Sequence, residues 1–212
     1  MSRFLLLTTA LGLSACMGPA GSGTAVGNPP SALLRTASSA AIELAEAEVQ
    51  GAFLEITPCD AREPVSTLEL GDVDLVEAPE FTLPAVQPCG ATLLADRMEL
   101  EAFEDTVHEL EIEVMSVEID LGPTLQTLSS GQPLTGAHIL ELGQPDWLVD
   151  LRDPVSEEDV IITPDDPRHA LLQQALGGES ALWRDRDESA EVEDPERDMP
   201  VLAAWEEAVE PR

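Results

Sequence analysis

The side chains able to do chemistry are unevenly stocked in this chain. Of 212 residues, 42 are Asp or Glu and ten are Arg; there is no Lys, and His and Cys number three each. Carboxylates at this abundance could act as acid–base pairs or as ligands for hard cations. Other chemistries lack their residues. His108, His138 and His169 are scattered, with no HExxH or HxH spacing, and each reads as a surface or packing residue. There is no GxSxG, no P-loop and no GxGxxG following a strand. A carboxylate hydrolase would need two acids facing each other about 5–10 Å apart in a cleft. Such clefts are usually lined by aromatics, and the chain has only three Trp, four Phe and no Tyr. Trp147, Trp183 and Trp205 therefore read as core anchors rather than sugar platforms. The formal charge of −32 repels phosphate backbones and anionic lipid heads, which argues against nucleic-acid binding and polybasic membrane docking. An apolar share of 43% is that of a folded chain, so global disorder is a poor reading. No enzymatic activity is expected.

The densest run of oxygen donors is 185–196, which reads Asp-Arg-Asp-Glu-Ser-Ala-Glu-Val-Glu-Asp-Pro-Glu. A hard dication needs six or seven oxygens on a chain coiled around it. Over these twelve residues the run resembles the calcium loops of EF-hand and dockerin proteins. The resemblance implies side-chain ligands at Asp185, Asp187 and Ser189, and a backbone carbonyl ligand at Glu191. Glu193 would act through water, Glu196 would close the shell, and Val192 would take the apolar eighth position. Ca2+ is thus the one cofactor to consider. The pattern departs from the family at position six, where Ala190 replaces Gly; a left-handed backbone there costs about 1 kcal/mol. Pro195 and Arg197 also depart from it, and the competing reading is an acidic, solvated connector.

The N-terminus reads as an address. Arg3 precedes an apolar run over 4–13 that is too short to span a bilayer as a helix. It leads into Leu13-Ser14-Ala15-Cys16, which resembles the lipobox of bacterial lipoproteins. The resemblance implies a signal peptide over 1–15, lipidation of Cys16 and acylation of the new N-terminus, giving a stable membrane anchor. Met17 in place of Asp after the lipid Cys implies outer-membrane sorting in the enteric scheme. The mature chain would carry nine Arg against 42 acids, or −33. The stretch Gly23-Thr24-Ala25-Val26-Gly27-Asn28-Pro29-Pro30 resembles the GT-x-VGNP segment that follows the lipid Cys in uncharacterised lipoproteins of myxobacteria and their relatives. That group imports no activity. In an exported chain, the two cysteines left after lipidation, Cys59 and Cys89, most simply form a disulfide. The expected protein is a monomer on the cell envelope, structural or binding a periplasmic or extracellular ligand. A carbohydrate-binding or adhesion module is the alternative.

The elements positioning these groups follow from periodicity. Leu110, Ile112 and Val114 alternate with acids, as do Val117, Ile119 and Leu121, with one phase slip at Met115-Ser116 that suggests a bulge. Leu68, Leu70, Val73 and Leu75 repeat the pattern around a slip at Gly71-Asp72. Further strands are expected over 49–56, 80–83, 91–100, 137–142, 147–151 and 160–163, separated by turn signals at 122–123, 130–133 and 143–145. Asp166 and Pro167 look like the start of a helix with inward Leu171, Leu172, Ala175 and Leu176, closed by Gly177-Gly178. A second helix over 200–209 would use Leu202, Trp205 and Val209. The expectation is a mainly β protein, an antiparallel sandwich or barrel-like domain over 43–164. A flexible tether over 16–42 precedes it, with a helical option at 32–47, and a helix, acidic loop and helix over 165–212 follow.

Overall fold

A computed structural model describes residues 29–37, 43–61, 66–103, 109–143, 160–178, 180–192 and 200–204. Among the described residues ten strands and two helices run in the order β1 (Ser31–Thr36), β2 (Glu43–Pro58), β3 (Ser66–Asp74), β4 (Glu80–Thr82), β5 (Pro88–Phe103), β6 (Glu109–Pro123), α1 (Leu125–Ser130), β7 (Ala137–Leu142), β8 (Val160–Ile162), α2 (Pro167–Gly178), β9 (Ala181–Arg184) and β10 (Leu202–Ala204). The chain is mainly β, as its alternation requires, and the strands form one nearly closed, barrel-like sheet. Their order is β3-β2-β5-β6-β10-β9-β7-β1-β4, with β8 added to β6. The two ends of this path, β3 and β4, are consecutive in the chain. In the connection between them Asp74 Oδ1 accepts the Val76 and Glu77 amides at 2.8 and 3.2 Å.

Long strands β2, β5 and β6 make the wall. Their inward residues, among them Val49, Leu54, Ile56, Leu93, Met98, Leu100, Ile112, Val114, Val117 and Ile119, are buried in a single aliphatic core. The acids between them lie outward or at the rim, as expected of a sheet with one wet face. The disulfide forms: the Cys59 and Cys89 sulfurs are 2.08 Å apart, tying the end of β2 to the start of β5 where Pro58 and Pro88 are register partners. Closing a loop with a sequence separation of 30 is worth about 3–4 kcal/mol in the chain-entropy account.

The phase slips lie on one line across the sheet. Inward positions jump by three in β2 (Val49 to Ala52), β5 (Ala95 to Met98) and β6 (Val114 to Val117). A pleat of period two cannot do this without an irregular residue. Gly51 and Ser116 supply it with φ of 61° and 58°, and Gly71 on β3 has φ 73°. Asp72 Oδ1 accepts the Gly51 amide at 3.0 Å, joining β2 to β3 along this line. The structure corrects the expected bulge at Met115-Ser116. Register between β5 and β6 is the same on both sides of Ser116, so neither strand gains a residue; the register shift lies between β2 and β3.

The outer edge of β6 is shared. β8 pairs in parallel with Ile112–Val114, and β10 pairs antiparallel with Leu121–Pro123. Between them α2 supplies the missing partner from its side chains. The Gln173 carboxamide accepts the Glu118 amide at 3.1 Å and donates to the Ser116 carbonyl at 3.0 Å, as a strand backbone would. His169 Nε2 donates to the Met115 carbonyl at 2.8 Å. Asp166 caps the helix as expected, accepting the Arg168 amide at 2.8 Å. Bonding to the Arg168 side chain and amide holds the Asp166 carboxyl below the usual range.

Several expectations need correction. The 31–36 stretch, read as part of a tether or helix, is a core strand: Ala32 and Leu34 are buried and β1 lies parallel to β7. A second parallel pair, β6 with β8, also departs from an all-antiparallel sheet. Gly122-Pro123 ends β6 rather than turning, because β10 pairs with it. Leu202 is in a strand, not a helix, while Trp205 and Val209 lie outside the described residues. The α2 stripe is narrower than expected; Leu172 and Leu176 are buried but Leu171 is 61% exposed, since the helix rests on the 169–172–173–176 face. The expected strand at 147–151 also lies outside the described residues.

Replacing Gln173 by Leu keeps the bulk but removes both hydrogen bonds to β6. We expect a loss of about 1–3 kcal/mol in denaturant unfolding and faster hydrogen exchange at the Glu118 amide.

Candidate functional site

One end of the barrel gathers most of its buried polar groups. Here β5 and β7 begin and β6 and β9 end, and α1 covers the opening. Thr124 caps α1 by accepting the Thr127 amide at 3.3 Å, and its hydroxyl also donates to the Pro200 carbonyl at 2.9 Å, fastening α1 beside β10. The Thr127 hydroxyl donates to the Val201 carbonyl, and Gln87 Nε2 donates to the Thr127 carbonyl at 3.1 Å. These bonds hold open a cavity of about 130 Å³, lined by Pro88, Thr127, Ser130, Gln132, Pro133, Leu134, His138, Arg184, Arg186 and Val201.

Among the described residues the lining carries two arginines, one histidine and no carboxylate. His138 and Arg184 are cross-strand partners on β7 and β9. Arg184 donates to the Thr135 carbonyl at 3.0 Å and is exposed. His138 is buried at 2% exposure, with Nδ1 3.1 Å from the Gly136 carbonyl oxygen. Burial above all, and then the Arg184 charge, holds this imidazole below its ordinary range; the Ser31 and Gly136 carbonyls and Asp185 act the other way. The group is therefore neutral at pH 7. Asp185, between the two arginines, is 6% exposed and turned into the following loop.

That loop begins the proposed calcium run. Asp185 Oδ1 accepts the Ser189 amide at 3.2 Å and Oδ2 accepts the Ala190 amide at 3.0 Å. Asp187 Oδ1 accepts the Ser189 amide at 3.2 Å, and the Ser189 hydroxyl donates to the Glu191 carbonyl at 3.3 Å. Bonding to the Ser189 side chain and amide holds the Asp187 carboxyl low. Ala190 adopts φ 62°, the left-handed turn that the family assigns to Gly, and Val192 is buried. Arg35 Nη1 donates to the Ala190 carbonyl at 2.8 Å and fixes this turn to β1. Glu193 and Glu196 lie outside the described residues. Among the described residues no three of His, Cys, Asp or Glu come together as a metal cage, and the described donors are engaged with backbone amides and with one another.

Cys16 and the lipobox also lie outside the described residues, as does His108. Reading the sequence missed the cavity. One signal was present, since Arg184 and Arg186 place two of the ten cations two residues apart. The other walls come from Val201 and from segments about 50 to 100 residues upstream, which no local pattern joins. No protein-family model, curated protein or solved structure matches the chain.

Two outcomes are expected. An imidazole with a lowered native pKa binds fewer protons than in the unfolded chain. Stability is therefore lost as pH falls below about 6.5, toward the native value. Between pH 7.5 and 5.5 the wild type should lose stability relative to His138→Gln. Millimolar calcium would leave the melting temperature unchanged if the acidic run is a solvated connector. A loop filled at a hundredfold excess over Kd would instead add about 2.7 kcal/mol.

Proposed function

We propose that the protein is a non-enzymatic, lipid-anchored lipoprotein of the bacterial cell envelope, with a disulfide-closed, acidic β-barrel held outside the cytoplasm as a ligand-binding or structural module. The observation that carries this reading is the allocation of cysteines. Cys59 and Cys89 stand at bonding distance, which fits an oxidising compartment. That leaves Cys16 as the one remaining thiol of three, at the lipobox position of Leu13-Ser14-Ala15-Cys16. A chain of acyl groups at that residue supplies the membrane affinity that a surface of this charge lacks.

The barrel also limits the tether. With β1 starting at Ser31, fourteen residues (17–30) separate it from Cys16. At full extension they reach at most roughly 50 Å, so the barrel stays near the bilayer. Outer-membrane sorting is the address that Met17 supports.

The test is a membrane fractionation combined with mass spectrometry of the native N-terminal peptide. The wild type should sediment with membranes and begin at an acylated Cys16, whereas Cys16→Ser should lose both properties. A Cys16→Ser protein still held in the membrane fraction, or an unmodified native Cys16, would overturn the reading.

A further inference from the structure

Building on the lipid-anchor reading, we infer that the barrel docks end-on against the phospholipid surface. The α1 end faces the bilayer, Leu125 enters the head-group layer, and the acid-rich half of the wall is turned away. The point where the chain enters the barrel supports this pose first. The Ser31 amide at the start of β1 donates to the Gly136 carbonyl at 3.2 Å, and the Leu83 amide donates to the Pro30 carbonyl at 2.7 Å. Both bonds fasten the entering chain at the end where β5 and β7 begin, β6 ends and α1 follows.

Reach then limits the alternatives. The 16 residues of β2 span roughly 50 Å along the strand, or about 35–40 Å along the axis of a barrel whose strands tilt by about 35–45°. The link 17–30 covers roughly 50 Å only at full extension. Presenting the opposite end to the membrane would need that link drawn nearly taut along the wall. Presenting the α1 end needs no such extension.

Charge along the wall points the same way. Gly51, Asp96 and Ser116 mark the line where β2, β5 and β6 change phase. Beyond it stand eight glutamates, three on β2, two on β5 and three on β6. Register sets Glu48, Glu99 and Glu113 in one row across these strands, and Glu46, Glu101 and Glu111 in the next. On the α1 side the same strands carry three acids, Glu55, Glu118 and Asp120. A leaflet containing anionic lipids repels acids within a Debye length of ~8–10 Å, and this pose holds the glutamate rows farther away than that.

The α1 end offers the bilayer a different surface. The run 121–137 contains no charged residue, in a chain of which 25% is charged. Leu125 opens α1 and, at 71% exposure, is the most exposed large apolar side chain among the described residues. Ser130, Gln132 and Thr135 in the same run are exposed and polar. Asp60 is an exposed acid at this end, and the acidic loop after β9 starts here. Arg35, four residues on from Ser31, donates to the Ala190 carbonyl at 2.8 Å and draws that loop back along the wall. One leucine does not hold a protein on a membrane, but a protein already anchored needs only a contact that orients it.

The experiment places the protein, purified from membranes, in vesicles of phosphatidylethanolamine and phosphatidylglycerol that carry a nitroxide quencher on the lipid head group. Gln132→Cys at the α1 end and Glu46→Cys in the far half of β2, both exposed positions, are each labelled with a thiol-reactive fluorophore. The label at position 132 should be quenched several-fold more strongly than the label at position 46. Adding Leu125→Ser to Gln132→Cys should lower that quenching while the protein still sediments with the vesicles. Equal quenching at the two positions, stronger quenching at position 46, or quenching indifferent to Leu125→Ser would overturn the inference and leave the anchor standing. Protein that fails to sediment with the vesicles and takes up label at Cys16 would overturn the anchor reading, and the docking with it.

Discussion

A buried carboxylate inside a strongly acidic protein is the constraint on which the architecture rests. Glu141 lies on β7 with its side chain 3% exposed, and Arg35 on the parallel neighbour β1 reaches its Oε2 through Nε and Nη2 at 3.2 and 2.8 Å. The two residues are register partners, so the ion pair and the backbone ladder enforce one another. The remaining nitrogen of Arg35 donates to the Ala190 carbonyl, which holds the loop after β9. One guanidinium thus joins the first strand, the seventh strand and the acidic loop, and β7 and β9 carry the cavity between them. Moving a lone carboxylate into such surroundings costs several kcal/mol, which a well-placed partner offsets.

The same economy of cations organises the rest. Among the described residues most acids are half-buried or exposed, where water and salt screen them at little cost. The described arginines occur where a carboxylate is partly buried, where a helix begins at Asp166, or at the cavity. Long strands impose the second constraint. A barrel wall of sixteen residues must bend, and Gly51 and Ser116 let β2 and β6 change phase on a line that β5 crosses at Asp96. A Cβ at residue 51 would lie 2.5 Å from Asp96 Oδ2, so the crossing also needs the space glycine leaves. The bend opens the β6 edge between β8 and β10, and Gln173 seals it from α2.

Much of this was legible beforehand because it is local. Alternating Leu, Ile and Val with Glu and Asp marks the long strands, and the slips at Gly71-Asp72 and Met115-Ser116 mark the bend, although the slip at 115–116 is a change of backbone hand and not an inserted residue. The cysteine pairing and the Asp166-Pro167 helix start follow from equally short-range rules. What escaped was set by tertiary partners. β1 has only Ala32 and Leu34 as inward residues, and its parallel neighbour is about a hundred residues away. β9 and β10 are four and three residues long, too short for any period to show. The cavity draws its walls from five separate segments. Its arginines were visible only as a local excess of charge, beside a run of acids that invited a different reading.

Arg35 neutralises Glu141 inside the sheet, and a double-mutant cycle on this pair measures their coupling. Denaturant unfolding of Arg35→Met should show a loss of about 3 kcal/mol or more, because it removes the cation facing a buried carboxylate, while Arg35→Met combined with Glu141→Leu should recover most of that loss. A single Arg35→Met variant costing less than about 1 kcal/mol, or a double variant no better than the sum of its parts, would contradict the account.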